Sequence, residues 1–553
     1  MVRCLRVLVL AISIAVGWQT AAYARSEIVI GMTQYPSTFH PLIDSMLAKS
    51  YAHGLTRRQI TIPDQDWTTV CVMCTELPTL ENGGAVLEKT PDGKDGIAVT
   101  YTLDSRAVWG DGTPITVDDV IFTWEVGKHP QSGVSGSDAF RRILSIDRLD
   151  DKKFTLHVDR RTFDYYDISG LELLPAHIER AKFTDPAAYK TQTAFDTDPF
   201  NPGLSNGPYL MTDAKTGSHM VFERNPKWWG AKPAFDKITI RVIENTATLE
   251  ANLLSGAVDM VSGELGFNID QALTFEKRHG DKYNIVYKPG LIYEHIDLNL
   301  DNPILQDRRV RQALMYAIDR KAISERLFGG KQPVADTNVN PLDWVYDQDV
   351  PKYDFDLKRA AALLDEAGWS KKVKGIRVND KGEPLRFTLM TTAGNRTREL
   401  VQQVLQSQWK ASGIDIRINN EPARVFFGQT VTQRKFDAMA MFAWLSAPES
   451  VPRTTLHSDS IPTAENNWGG QNYTGYKNPK MDELLEVIET ELDRDKRKAM
   501  WSDLQHMYAT ELPVLPLYFR ANTYVLPKWL SGVRPTGHKY STTNWVEEWK
   551  VVE

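Results

Sequence analysis

The chain has 553 residues, 42% hydrophobic and 25% charged, a globular composition with apolar material for more than one core, so two or three domains are expected. Its 65 basic and 71 acidic residues leave a net charge of −6 and intermingle along the sequence. No basic face for nucleic acid is expected from such a distribution.

At the N-terminus, Arg3 and Arg6 precede an apolar run from Val7 to Trp18, and Ala22-Tyr23-Ala24 follows as a small-x-small site before Arg25. This order predicts a cleaved secretory signal over residues 1–24. An anchoring helix is the alternative, but the run is about a dozen residues where a membrane span needs ~20. Cys4 stands before the run, not at its end where a lipid-carrying cysteine would sit. The mature protein is therefore expected free in its compartment, the periplasm of a Gram-negative cell. Only Cys71 and Cys74 survive cleavage, spaced C-x-x-C. In an oxidising compartment a local disulfide is the expected state, with a redox centre as the alternative. The 11 histidines include no pair at three- or four-residue spacing, so no metal site is expected.

Glu27 to Met32 reads as a strand and the Pro36–Pro41 stretch as a loop. Ala98 to Leu103 is a second strand, followed by a turn at Trp109-Gly110-Asp111-Gly112-Thr113-Pro114 and a helix capped by Thr116 or Asp118. Phe154 to Val158 alternates as a strand. Asp307 can cap a helix whose apolar positions Val310, Ala313, Leu314, Ala317 and Ile318 share one face, ending at Gly329-Gly330. A further helix runs from Asp356 to a stop at Gly368. Leu385 to Met390, Thr397 to Ala411 and Ile414 to Ile418 form strand, helix and strand, which predicts two parallel strands joined by a right-handed crossover. Another strand covers Phe436 to Trp444, two helices span Pro479 to Glu511, and Val514 to Phe519 is a last strand. The charge run Asp493 to Lys498 reads as solvated helix surface.

No phosphate-binding loop, dinucleotide fingerprint, H-E-x-x-H pair or G-x-S-x-G elbow occurs. Acidic pairs such as Asp118-Asp119 are expected by chance in a chain of this length. Neither an enzyme nor a cofactor is expected on these grounds.

Several segments, in order, resemble the family 5 extracellular solute-binding proteins, the oligopeptide, dipeptide and nickel receptor group. They are Val108 to Val120 with Phe122 and Trp124; Asn206-Gly207-Pro208-Tyr209; Arg224 to Trp229; Leu253 to Asp259; Asn299 with Arg308 to Leu314 and Ala317 to Arg320; Gly475 to Pro479; and Leu512 to Tyr518. Together they cover nearly the whole mature chain. The resemblance implies an α/β, bilobal periplasmic-binding-protein-like fold whose lobes are joined by two crossing segments, near Leu291 to Leu298 and Leu515 to Tyr524. Lobe I is then expected over 25–292 plus 520–553, with an extra subdomain at about 50–200, and lobe II over 293–519. The implied function is capture of a peptide or peptide-like solute by lobe closure and delivery to the permease of an ABC importer, by a protein expected to be a monomer. An oligosaccharide, an opine-like compound or a metal chelate is the alternative ligand. Alternatives of another class are a secreted enzyme or thiol-disulfide redox protein using Cys71 and Cys74, or a folding helper with exposed apolar surface.

By the same resemblance the candidate ligand residues are Tyr35, Thr38 and Phe39 after the first strand, Asn206 with Tyr209, and Tyr293 and His295 at the hinge. From the second lobe come Asn395, Arg396, Thr397, Trp444, Ser446, Ala447, Glu449, Asn467 and Trp468. In peptide-binding members an acid three residues after the tryptophan pairs with the peptide amino terminus. Here Ala447 holds that place, with Glu449 two residues on as the alternative acid.

Overall fold

The computed structural model describes residues 25–43, 46–134, 137–263, 265–422, 425–465 and 470–552. The signal expected over 1–24, and the candidates Asn467 and Trp468, lie outside them.

A ten-stranded mixed sheet runs through the molecule. Its strands are β1 (Glu27–Met32), β2 (Tyr209–Lys215), β3 (His219–Arg224), β4 (Lys237–Val242), β5 (Met260–Val261), β6 (Tyr283–Leu298), β7 (Arg386–Met390), β8 (Asp415–Ile418), β9 (Met439–Leu445) and β10 (Val514–Pro527). In space they lie in the order β8-β7-β9-β6-β10-β5-β1-β4-β3-β2. β7 and β8 are parallel, as the strand-helix-strand pattern predicts, with the helix α6 (Arg396–Ala411) between them in sequence. A second, four-stranded antiparallel sheet is built from Ala85–Lys89, Asp95–Thr102, Ile143–Arg148 and Lys153–Val158.

Other helices include α1 (Leu47–Thr56), α2 (Val117–Lys128), α3 (Arg308–Tyr316), α4 (Arg320–Phe328), α5 (Leu357–Glu366), α7 (Pro479–Thr490) and α8 (Arg494–Glu511). Their starts follow the capping chemistry of the sequence. Thr116 accepts from the Asp118 amide at 3.3 Å while Asp119 accepts back from the Thr116 amide at 2.9 Å, a reciprocal capping box. Asp307, Asp356 and Asn395 cap α3, α5 and α6. The single helix expected from Asp307 to Gly329-Gly330 is instead two. Asp319 accepts from the Ala322 amide at 2.8 Å, a second cap that restarts the helix in a new direction. Only α4 ends at Gly329, whose φ is +56°. In the turn before α2, Gly112 has φ +93° and a Cβ on Gly110 would meet the Pro202 carbonyl at 2.5 Å, so this turn needs glycine at both places.

Separate apolar cores flank the large sheet. One gathers Ile28, Ile30, Ile238 and Ile240 with Tyr524 and Leu526. Another gathers Leu314, Leu389, Leu405 and Trp409 with Ile296, Leu298, Leu515 and Leu517. A third, under the four-stranded sheet, holds Ile97, Trp109, Val120 and Phe154. The strands β6 and β10 pair antiparallel along their length, from Tyr283 opposite Pro527 to Asp297 opposite Val514. Each supplies its two ends to different cores, Val286 and Tyr524 on one side and Ile296 and Leu515 on the other. Their register shifts between Pro289 and Ile292 and again between Glu294 and His295. The bilobal α/β fold thus has its two crossing segments in this strand pair.

Candidate functional site

β6 sets the site because a strand points alternate side chains to opposite faces. Tyr293, His295 and Asp297 share one face, and Glu294 points to the other. Three cavities surround this strand and the chain leaving β9.

The largest is a cleft of about 610 Å³. One wall is made by Trp67, Phe163 and Tyr166 with Lys539 and Tyr540 from the C-terminal segment, the other by Trp344, Ala447, Glu449, Arg494 and Arg497. Long-range bonds build the first wall. Trp67 Nε1 donates to the Thr536 carbonyl (2.7 Å), His538 Nε2 donates to the Asp64 carbonyl (2.8 Å), and Tyr540 donates to Ser169 Oγ (2.6 Å). Behind it, the Cys71–Cys74 disulfide joins the short strand Thr69–Cys71 to the turn that follows, with Cα atoms 5.3 Å apart. Cys74 is buried.

Arg497 and Glu449 organise the second wall. Arg497 Nε donates to Glu449 Oε1, and its Nη1 donates to the Glu491 carbonyl at 2.9 Å. Trp344 Nε1 donates to Glu449 Oε2 at 2.9 Å. Burial pushes the Glu449 carboxyl above its ordinary range, and Arg497 offsets only part of the shift. The walls meet where the Arg497 guanidinium lies 4.4 Å from the Phe163 ring centre and the Phe163 amide donates to the Glu489 carbonyl at 3.1 Å. Within the Asp493–Lys498 run, expected to be solvated, Arg497 is the exception at 6% exposure, because this face of α8 turns toward the cleft.

A second cavity, about 140 Å³, is lined by Tyr293, His295 and Asp297 with Trp444, Ser446 and Tyr508. It shares Ser450 and Val451 with the large cleft. The Tyr293 and Tyr508 hydroxyls lie 2.9 Å apart, and the His295 ring stacks on Tyr293 with centres 4.9 Å apart. The third cavity, about 180 Å³, lies on the Glu294 face and is lined by Asn268, Asn395, Thr397, Arg398 and Arg520. Glu294 accepts from Arg398 Nε at 2.5 Å and Nη2 at 3.2 Å. Burial alone would raise this carboxyl, but Arg398 and Arg520 outweigh it and hold it below the ordinary carboxylate value.

The sequence candidates divide accordingly. Tyr293, His295, Trp444 and Ser446 gather at the second cavity and Ala447 and Glu449 at the cleft. Asn395 and Thr397 line the third, where Asn395 also caps α6. Arg396, the first residue of α6, lines none of the three. Tyr35, Thr38, Phe39 and Asn206 also lie outside them. Thr38 donates to Asp196 at 3.1 Å, Phe39 packs between two cores against Tyr35, and fully buried Asn206 bonds both the amide and the carbonyl of Arg58. Tyr209 is buried and donates to the Phe235 carbonyl. The sequence reading passed over Trp67, Phe163, Tyr166, Trp344, Arg497, Asp297 and Tyr508. For Asp297 a signal existed in the period-two spacing from Tyr293 and His295. Among the described residues no group of three His, Cys, Asp or Glu side chains could hold a metal ion, and no helix is long and apolar enough to cross a membrane.

Residues 84–462 match the model of the bacterial extracellular solute-binding proteins, family 5. The oligopeptide-binding protein AppA of Bacillus subtilis is 26% identical over 530 residues, covering 94% of this chain and 91% of that protein. The crystal structure of an oligopeptide-binding protein from Thermus thermophilus, complexed with a pentapeptide, is 30% identical, with a TM-score of 0.76 over 95% of this chain and 96% of that one. NikA from Brucella suis, in complex with Fe(III)-EDTA, shares the fold at a TM-score of 0.78 with 19% identity, covering 95% of this chain and 100% of that chain.

Proposed function

We propose that this chain, which belongs to the bacterial extracellular solute-binding proteins of family 5, captures a peptide or peptide-like solute in the 610 Å³ cleft and hands it to the permease of an ABC importer. The observation that carries this reading is the composition of the cleft. Half-buried rings from both walls face it beside charges of both signs. A peptide combines those chemistries: apolar side chains for the rings and polar backbone and end groups for the charges. The peptide complex of the Thermus thermophilus relative supports the same class of ligand.

The protein acts by binding alone, as a monomer, in the periplasm after removal of residues 1–24. Lobe I comprises 25–292 plus 520–553, with an extra subdomain at about 50–200, and lobe II comprises 293–519. A ligand touching both walls gains more contacts in the closed form and shifts the open-closed equilibrium by that difference. The closed form is what the permease reads.

Ala447 gives the cleft no acid at its place, and Glu449 is already bonded to Arg497 and Trp344. A free amino terminus therefore has no pre-set partner there. Thermal melts with a peptide and its N-acetylated form are expected to show equal or larger stabilisation by the blocked peptide, since binding to the folded state raises the melting temperature. A much larger rise with the free peptide would show that another acid reads the amino end. Oligosaccharides and metal chelates raising the melting temperature where no peptide does would overturn the peptide reading itself.

A further inference from the structure

The 140 Å³ cavity holds two buried groups, His295 and Asp297, whose pairing needs a proton or a donor from outside. His295 and Asp297 are 1% and 3% exposed. His295 Nδ1 lies 3.0 Å from the Tyr293 carbonyl oxygen. That oxygen can only accept, so Nδ1 carries the hydrogen. In the neutral ring Nε2 is then a bare acceptor. It makes no hydrogen bond, although Asp297 Oδ1 is 3.2 Å away. With the ring neutral, Nε2 and the Asp297 carboxylate face each other at 3.2 Å as two acceptors with no hydrogen between them, an arrangement whose desolvation cost is recovered when a donor or positive charge reaches both.

Among the described residues no fixed cation supplies it. Arg320, against the Pro516 carbonyl on one flank of the strand pair, bonds Asp336 and backbone carbonyls. Arg398, on the opposite face of β6, is bonded to Glu294. The other walls are aromatic, with the side chains of Tyr293, Trp444 and Tyr508 lining the cavity. The cavity adjoins the ligand cleft through Ser450 and Val451. Its 140 Å³ is several times the ~30 Å³ share of one liquid water.

We propose that this cavity is a side pocket of the ligand cleft that takes an organic cation of the ligand, with Asp297 as counter-charge and His295 Nε2 as second acceptor. If the ligand is a peptide, as proposed above, the cation is the ammonium or guanidinium end of a basic side chain. The pocket therefore selects ligands carrying such a group at one position. A proton on His295 would close the same gap internally, and the experiment separates the two.

An alanine pentapeptide is substituted at each position in turn with lysine or with norleucine, which keeps the alkyl chain and lacks the charge, and each peptide is titrated calorimetrically into the mature protein. At one position the lysine peptide is expected to bind roughly tenfold tighter or more, as a charge-assisted bond to a desolvated carboxylate predicts. Asp297→Asn is expected to bring that ratio close to one. Absence of a lysine preference at every position, or a preference that survives Asp297→Asn, would overturn the proposal. Thermal melts of the wild-type protein with n-butylammonium against 1-butanol at matched ionic strength are a probe that needs neither the variant nor a peptide. Stabilisation by the cation alone supports the pocket, and equal melts refute it. Failure of every pentapeptide to bind would count against peptide capture, while the butylammonium arm still decides the pocket.

Discussion

Glu294→Gln is expected to lower the unfolding free energy by about 3–5 kcal/mol at pH 7, the usual cost of removing one partner of a buried ion pair. Glu294 is 1% exposed and holds Arg398 through two hydrogen bonds, with Arg520 Nη1 at 4.0 Å. Without the carboxylate, Arg398 keeps a buried charge and loses its counter-ion; the glutamine amide oxygen can accept one of its two bonds, beside the 3.3 Å bond to Thr392 Oγ1. The pair ties the crossing strand β6 to α6. The pH dependence follows from the sign of the shift. Burial pushes the carboxyl up, but the two arginines prevail and hold it below its ordinary value. Its contribution is therefore present above the unfolded-chain pKa of roughly 4.3 and is lost as pH falls through the lower folded value. Urea melts of wild type and variant at pH 7 and near pH 3 should show the gap between them shrinking in acid. A gap that stays constant would mean that the charge pair is not its source.

Arg497→Met should be nearly as costly, about 3 kcal/mol by the same physics, and it should also disturb the cleft. Arg497 satisfies Glu449, bonds the Glu491 carbonyl and stacks on Phe163 from the opposite wall. Its loss leaves a buried carboxylate whose pKa burial already raises. A carboxyl with a raised folded pKa is least unfavourable when protonated, so the penalty of the variant should ease as pH falls from 7 toward 5. Arg497→Lys should recover only part of the loss, because an ammonium cannot reproduce the guanidinium fork. Denaturation melts with parallel peptide titrations read both effects. An unchanged melt together with unchanged peptide affinity would remove Arg497 from the cleft architecture.

Much of the fold could be read from local chemistry. Thr116, Asp307 and Asp356 mark helix starts because their side chains satisfy the first free amides, whereas the cap at Asn395 places the start of α6 ahead of the expected Thr397. Asp319, the same residue type as Asp307 and Asp356 but inside a longer apolar pattern, hid the break between α3 and α4, since the apolar spacing continues across it. β6 and β10 extend well beyond the expected segments. Where they cross between cores, around Lys288-Pro289-Gly290 and Arg520-Ala521-Asn522, the apolar alternation that marks a strand fades. Of the candidates that the family resemblance implies, Tyr293, His295 and Trp444 ride on strands and line one cavity together. The site was not legible in Trp67, Phe163 and Trp344. These sit in irregular segments with no periodicity, and only tertiary contacts such as the Trp67–Thr536 bond bring them to the cleft.

The central claim, capture of a peptide in this cleft, is tested most directly by calorimetric titration of the mature protein with short peptides, for wild type and Tyr166→Ala. Tyr166 lines the cleft, so its removal should weaken binding, and a melt of the variant checks that the fold is retained. Wild type is expected to bind with a dissociation constant on the order of micromolar or tighter, and Tyr166→Ala about tenfold more weakly, as loss of a contact ring implies. No heat from any peptide, or an affinity indifferent to Tyr166→Ala and Arg497→Met alike, would contradict the account.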